Sequence, residues 1–114
     1  MEFKQKSHRN GSVLEIEIPE RLTTETSDEL KQLLKEIVNS QKYKIVLNLG
    51  KNRYMDSSGL GAIVSKISVL RSNNGDIRLA AVHDSIRELL ELTHLNQIIH
   101  SYPTVEEAVN SFEE

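Results

Sequence analysis

Apolar residues recur along this chain at two different periods, and the period changes from segment to segment. Val13-Leu14-Glu15-Ile16-Glu17-Ile18 alternates as a half-buried strand does, and Pro19, which has no N–H to give a ladder, closes it. Asn10-Gly11 just ahead is a hairpin turn signal, which predicts Phe3 to His8 as the partner strand. Leu30, Leu33, Leu34, Ile37 and Val38 then fall on one helical stripe, opened by a capping box at Thr26-Ser27-Asp28-Glu29 and running to Asn39. Lys44-Ile45-Val46-Leu47-Asn48-Leu49 is a strand aliphatic enough to be central.

Asp56-Ser57-Ser58-Gly59-Leu60-Gly61 leads into a second helix with its apolar positions at Leu60, Ile63, Val64, Ile67 and Leu70. Asn73-Asn74-Gly75 stops that helix, with Gly75 suited to a left-handed conformation. Ile77-Arg78-Leu79-Ala80-Ala81-Val82 is the next strand, and Ser85-Ile86-Arg87-Glu88 is a second capping box for a short helix through Leu92. Gln97-Ile98-Ile99-His100 reads as a last short strand. Thr104-Val105-Glu106-Glu107 caps a final helix whose stripe is Val105, Ala108, Val109 and Phe112. The order is β-β-α-β-α-β-α-β-α, which predicts an α/β fold with a mixed β-sheet covered by about four α-helices.

Composition narrows the function classes. A chain of 114 residues has room for one domain and one core. The formal net charge is −3 and the aromatic content 4% with no Trp, which argues against phosphate-tracking and base-stacking surfaces, so no direct nucleic-acid contact is expected. The absence of cysteine rules out disulfides and thiolate metal sites. Met1 to Lys6 lack the apolar stretch of a signal peptide, and no apolar run is long enough to span a bilayer. A soluble cytoplasmic domain is the expectation.

The informative stretch is Tyr54 to Gly61, between a central strand and an amphipathic helix, where α/β folds collect their sites. Asp56, Ser57 and Ser58 are all good N-cap residues, and Gly61 is placed to let helix and strand pack closely. Enzyme motifs fit poorly. Ser57 and Ser58 lack the preceding Gly of a nucleophile elbow, and His83 and His94 have no base signature around them. No Gly-Lys-Ser/Thr marks a P-loop, and Gly59-Leu60-Gly61 lies too far after Leu49, without a third Gly, for a dinucleotide fingerprint. His8, His83, His94 and His100 show no zinc-ligand spacing. No spacing supports Asp56 with Asp84 or Glu88 as an acid–base couple, and Arg53, Lys66 and Arg71 read as a solvated face.

Asn48-Leu49-Gly50 followed by Tyr54-Met55-Asp56-Ser57-Ser58-Gly59-Leu60-Gly61 resembles the signature of bacterial anti-sigma factor antagonists, which are STAS domains. The element order and length match over nearly the whole chain. Ile86-Arg87-Glu88-Leu89-Leu90, Leu95-Asn96-Gln97-Ile98-Ile99 and Thr104-Val105-Glu106-Glu107-Ala108 look like the family's closing segments.

The resemblance implies a single STAS domain over residues 1–114, a monomer when free, with no catalytic residue, cofactor or metal. The unphosphorylated form would bind an anti-sigma factor that is itself a serine kinase, freeing the sigma factor and so promoting transcription. Phosphorylation of the serine after the Asp, here Ser57, would end binding, and a serine phosphatase would reset the cycle. Ser58 would be the helix cap beside it. The implied contact set is Asp56, Ser57, Ser58, Gly59, Leu60 and Gly61, the exposed face of the second helix, and Thr23 to Thr26. One departure stands out: the family's Gly-x-Leu-Asp turn reads Glu20-Arg21-Leu22-Thr23 here. Two other readings remain open, a STAS module docked constitutively in a stressosome-like scaffold or lipid-transport complex, and a small-ligand or nucleotide-binding domain with weak hydrolase activity.

Overall fold

The computed structural model describes residues 3–113. Its main sheet has five strands in the order β1 (Gln5–His8), β2 (Val13–Glu17), β4 (Lys44–Asn48), β6 (Asp76–Ala80) and β7 (Ser101–Tyr102), while β3 (Arg21–Leu22) and β5 (Tyr54–Met55) pair outside it. β1 and β2 form the expected antiparallel hairpin, in which Arg9, Asn10 and Gly11 all take positive φ. β4, β6 and β7 add in parallel. β4 is central, so Ile45, Val46 and Leu47 are all fully buried, as an uninterrupted aliphatic run requires.

One face of the sheet carries most of the core. Leu14, Ile16, Ile45, Leu47, Ile77 and Leu79 pack there against α1 (Thr24–Asn39), α2 (Ser57–Val64), α3 (Ile67–Ser72) and α4 (Asp84–Leu92). The opposite face is covered by α5 (Val105–Asn110), where Ala108 and Val109 meet Val13, Val46 and Ala80. The Thr104 hydroxyl caps α5 by accepting from the Glu107 N–H at 3.1 Å, as its sequence indicates.

Several boundaries differ from the sequence reading, each for a local reason. α1 starts a turn early: the Thr26 hydroxyl accepts from the Thr23 N–H at 2.9 Å, and Ser27, fully buried, already donates its N–H to the Thr23 carbonyl. The expected second helix is broken into α2 and α3 at Ser65–Lys66, where both the N–H and the hydroxyl of Ser65 donate to the Ala62 carbonyl and tighten the turn. Asn74, at φ 63°, takes the left-handed position assigned to Gly75. Gly75 is needed for space, since a Cβ there would lie 1.9 Å from the Tyr43 carbonyl oxygen.

β6 ends at Ala80 because Ala81 takes φ 58°, and α4 begins after His83 rather than at Ser85. The strand expected at Gln97–His100 is instead a 3-10 turn over Leu95–Gln97, held by the Ile98 and Ile99 N–H groups on the Leu95 carbonyl; β7 follows it. Arg71 is not merely solvated. Its guanidinium pairs with the buried Asp76 carboxylate at 3.0 Å, which Arg78 also contacts at 3.1 Å.

Candidate functional site: two strand-to-helix junctions side by side

The loops leaving β2 and β4 are stapled together by one buried side chain. Asn52 is fully buried, and its Nδ2 donates to the carbonyls of Pro19 at 2.8 Å, Tyr54 at 3.2 Å and Glu20 at 3.3 Å. The Glu20 carbonyl also accepts from the Arg53 and Tyr54 N–H groups. This staple aligns two short parallel strands absent from the sequence reading, β3 (Arg21–Leu22) and β5 (Tyr54–Met55), with Arg21 opposite Tyr54 and Leu22 opposite Met55. Two-residue strands carry no period, so only the Asn between two loops could have signalled them.

Each of these strands runs straight into an extended N-cap residue and then a helix: Thr23 into α1, Asp56 into α2. Continuing the parallel register by one residue sets the two extended cap residues, Thr23 and Asp56, side by side. The two junctions touch so closely that a Cβ on Gly59 would lie 2.7 Å from Met55 Cγ and 2.8 Å from the Leu22 carbonyl oxygen. The close packing the sequence reading gave to Gly61 therefore belongs to Gly59; nothing lies within 4 Å of a Cβ built on Gly61.

Asp56 is the cap of α2, not Ser58. One of its carboxylate oxygens accepts from the Ser58 N–H at 3.0 Å, the Gly59 N–H at 3.1 Å and the Ser58 hydroxyl. These bonds, the Ser58 hydroxyl foremost and the Gly59 N–H next, hold its carboxyl below the usual aspartate range. Ser57 is left at the first helical position, exposed, with no hydrogen-bond partner for its hydroxyl among the described residues. Of the expected contact set, Gly59 and Leu60 are buried, while Thr23, Asp56, Ser58 and Gly61 are half-buried around Ser57.

Other candidate residues lie apart in function. His83 meets the Gly50 carbonyl at 2.7 Å and the Arg53 guanidinium, and neither His83 nor His94 bonds to Ser57 or Ser58. His8 pairs with Glu15 at 2.8 Å. Among the described residues no group of three His, Cys, Asp or Glu is placed to hold a metal, and no helix is long and apolar enough to cross a membrane. On the paired strands leading into the junction, the sequence reading assigned no role to Arg21 or to the Tyr54 ring: the Arg21 guanidinium lies 4.4 Å from the centre of that ring, which is 44% exposed.

Fold and site together define a small mixed α/β module whose distinctive surface is an exposed serine heading a carboxylate-capped helix. The chain belongs to the STAS domain family, whose model matches residues 4–108. It is 31% identical over 86 residues to the anti-sigma-B factor antagonist of Staphylococcus aureus, covering 75% of this chain and 80% of that protein. A crystal structure from Thermotoga maritima, described as that of a candidate anti-sigma factor antagonist, superposes with a TM-score of 0.88 at 27% identity, covering 98% of this chain and 95% of the other. The Bacillus cell fate determinant SpoIIAA in its phosphorylated form shares the fold, with a TM-score of 0.76 at 18% identity over 98% of this chain and all of that one.

Proposed function

We propose that this chain is a cytoplasmic anti-sigma factor antagonist without enzymatic activity, a single domain and a monomer when free. In this reading the unphosphorylated form binds an anti-sigma factor that is a serine kinase and releases the sigma factor. Phosphorylation of Ser57 ends binding, and a serine phosphatase restores it. The observation that carries this reading is the placement of Ser57: an exposed hydroxyl at the head of α2 with no partner among the described residues, Asp56 rather than Ser57 serving as the cap. Its modification leaves the capping bonds intact, so the fold tolerates a phosphate without rearranging.

The switch is one of local charge. A phosphate adds roughly −1.5 to −2 units of charge. Buried without a partner at an interface, such a charge costs about 2–5 kcal/mol, or roughly thirty-fold to several thousand-fold in affinity. Thr23, Asp56, Ser58 and Gly61 ring the point where that charge would appear, so a partner seated on them could not avoid it.

The test is phosphosite mapping by mass spectrometry on protein recovered from its native cells, combined with capture of the anti-sigma factor on the immobilised chain. One phosphate at Ser57, absent from Ser57→Ala, and capture by the wild type but not by the phosphorylated form are expected. Capture that is indifferent to a phosphate at Ser57, or a Ser57 unmodified in every growth condition, would refute the proposal.

A further inference from the structure

A phosphate on Ser57 needs a counter-charge, and α2 has little to offer it. The donors such an anion would ordinarily take at a helix head, the Ser58 and Gly59 N–H groups, are already held by the Asp56 carboxylate. The phosphate thus arrives beside a carboxylate, with the exposed Glu20 and Glu25 on the neighbouring junction adding to the negative side.

Three arginines belong to the elements around the junction: Arg21 on β3, Arg53 ahead of β5 and Arg87 on α4. Among the described residues none of them pairs with a carboxylate. Arg53 is occupied on the loop side, donating to the Gly50 carbonyl at 3.1 Å and meeting His83. Arg87 is exposed on another helix. Arg21 is different. It stands on the strand that runs beside β5 into the same pair of helix heads, and among the described residues its guanidinium rests only on the exposed Tyr54 ring, three residues before Ser57. An exposed cation–π contact is weaker than the forked pairing of a guanidinium with a phosphate dianion.

We propose that Arg21 is the in-chain counter-ion of a Ser57 phosphate: on phosphorylation its guanidinium leaves Tyr54 for the phosphate oxygens. One modification then adds charge beside Asp56 and bares the tyrosine face at the same edge of the site, so that two features of the surface a partner meets change together. This rests on the phosphorylation reading above.

The experiment uses the full chain with phosphoserine installed at position 57 during synthesis, so it does not depend on whether cells ever phosphorylate that residue. In the unmodified chain the Arg21 side-chain protons are expected upfield, shifted by the Tyr54 ring, and the phosphate should abolish that shift. In a phosphorus-31 titration Arg21→Ala should lower the second acid dissociation constant of the phosphate on the order of three-fold. Arg21→Lys should retain part of the effect, and Arg53→Ala and Arg87→Ala should leave the titration unchanged. A titration indifferent to Arg21, one that moves as much with Arg53 or Arg87, or ring-shifted Arg21 protons that persist with the phosphate present would each overturn the proposal. An unmodified Ser57 in cells would sink the functional reading and leave this measurement standing.

Discussion

Gly59 and Gly61 sit two residues apart on α2, and the structure gives their alanine substitutions opposite signs. Both gain the same helix-propensity term, roughly 0.5–1 kcal/mol for replacing a glycine inside a helix. At Gly61 that term stands alone, because a Cβ meets nothing within 4 Å. Gly61→Ala should therefore stabilise the chain by about 0.5–1 kcal/mol. At Gly59 the same Cβ would lie 2.8 Å from the Leu22 carbonyl oxygen and 2.7 Å from Met55 Cγ. Met55 can turn aside, but the Leu22 carbonyl belongs to β3 and accepts the Asp56 N–H at 3.3 Å, so α2 must lift from the neighbouring strand. Overpacking of this kind costs about 1–3 kcal/mol; because the clash is with backbone, a mid-range cost of about 2 kcal/mol applies, which outweighs the propensity gain and leaves a net loss of about 1–1.5 kcal/mol. Equilibrium urea unfolding of the two variants against wild type measures both. With an m-value of about 1.5 kcal/mol/M, the midpoints should move about 0.5 M up for Gly61→Ala and about 1 M down for Gly59→Ala. Two shifts of the same sign would refute the assignment of the close contact to Gly59. In the capture assay Gly61→Ala should also weaken partner binding despite its greater stability, because the added methyl stands on the surface beside Ser57.

Asn52→Ala should cost about 2–3 kcal/mol in urea unfolding, since three carbonyls lose their donor while the removal of the unpartnered, buried Oδ1 offsets part of the loss. The same variant should speed amide exchange at Arg53 and Tyr54, whose N–H groups depend on the aligned Glu20 carbonyl. Asp56 gives a pH signature. Its folded carboxyl is held below the ordinary value of 3.8, so its contribution to stability is complete above that value and disappears as pH falls through the lower folded value. Asp56→Asn keeps a capping oxygen but cannot titrate, so the stability gap between the two proteins, read by thermal melts across the acid range, should narrow as pH falls. A gap that is constant through that range would refute the assignment.

The main sheet was legible because its signals are periodic and locally consistent. The Val13–Ile18 alternation, the uninterrupted Ile45-Val46-Leu47 run and the Leu30–Val38 stripe each report burial that the fold then realises. What failed were features set by contacts rather than by period. The break at Ser65 leaves the apolar spacing of Ile63, Val64, Ile67 and Leu70 untouched, because a serine bonding back to its own helix changes the backbone without changing which side chains face inward. Ile98 and Ile99 read as strand, yet left-handed His94 turns the chain into a 3-10 coil that buries Ile99 and leaves Ile98 45% exposed. At the site, the motif pointed to the right junction but not to its twin. β3 pairs with β5 across 33 residues of sequence, its two loops held by backbone hydrogen bonds and one buried amide, and no local pattern encodes that.

The twin junction gives the departure at Thr23 a physical meaning. Thr23 and Asp56 occupy matching places, each the extended residue between a two-residue strand and a helix. A carboxylate at both would place two fixed negative charges at the head of the site. With Thr23 there is one, and the cap it provides works through the backbone, its N–H donating to the Thr26 hydroxyl and its carbonyl accepting from the Ser27 N–H. Charge lost at position 23 is thus not needed to hold α1 in place. It changes what the surface presents: one capping carboxylate that is locked by α2, and beside it a guanidinium on Arg21 that no carboxylate neutralises among the described residues. On the β3 side of Ser57 that guanidinium is a local positive point between the exposed Glu20 and Glu25, open to a carboxylate brought by a partner. A phosphate on Ser57 would compete for that same guanidinium, so it opposes binding even where it does not touch the partner.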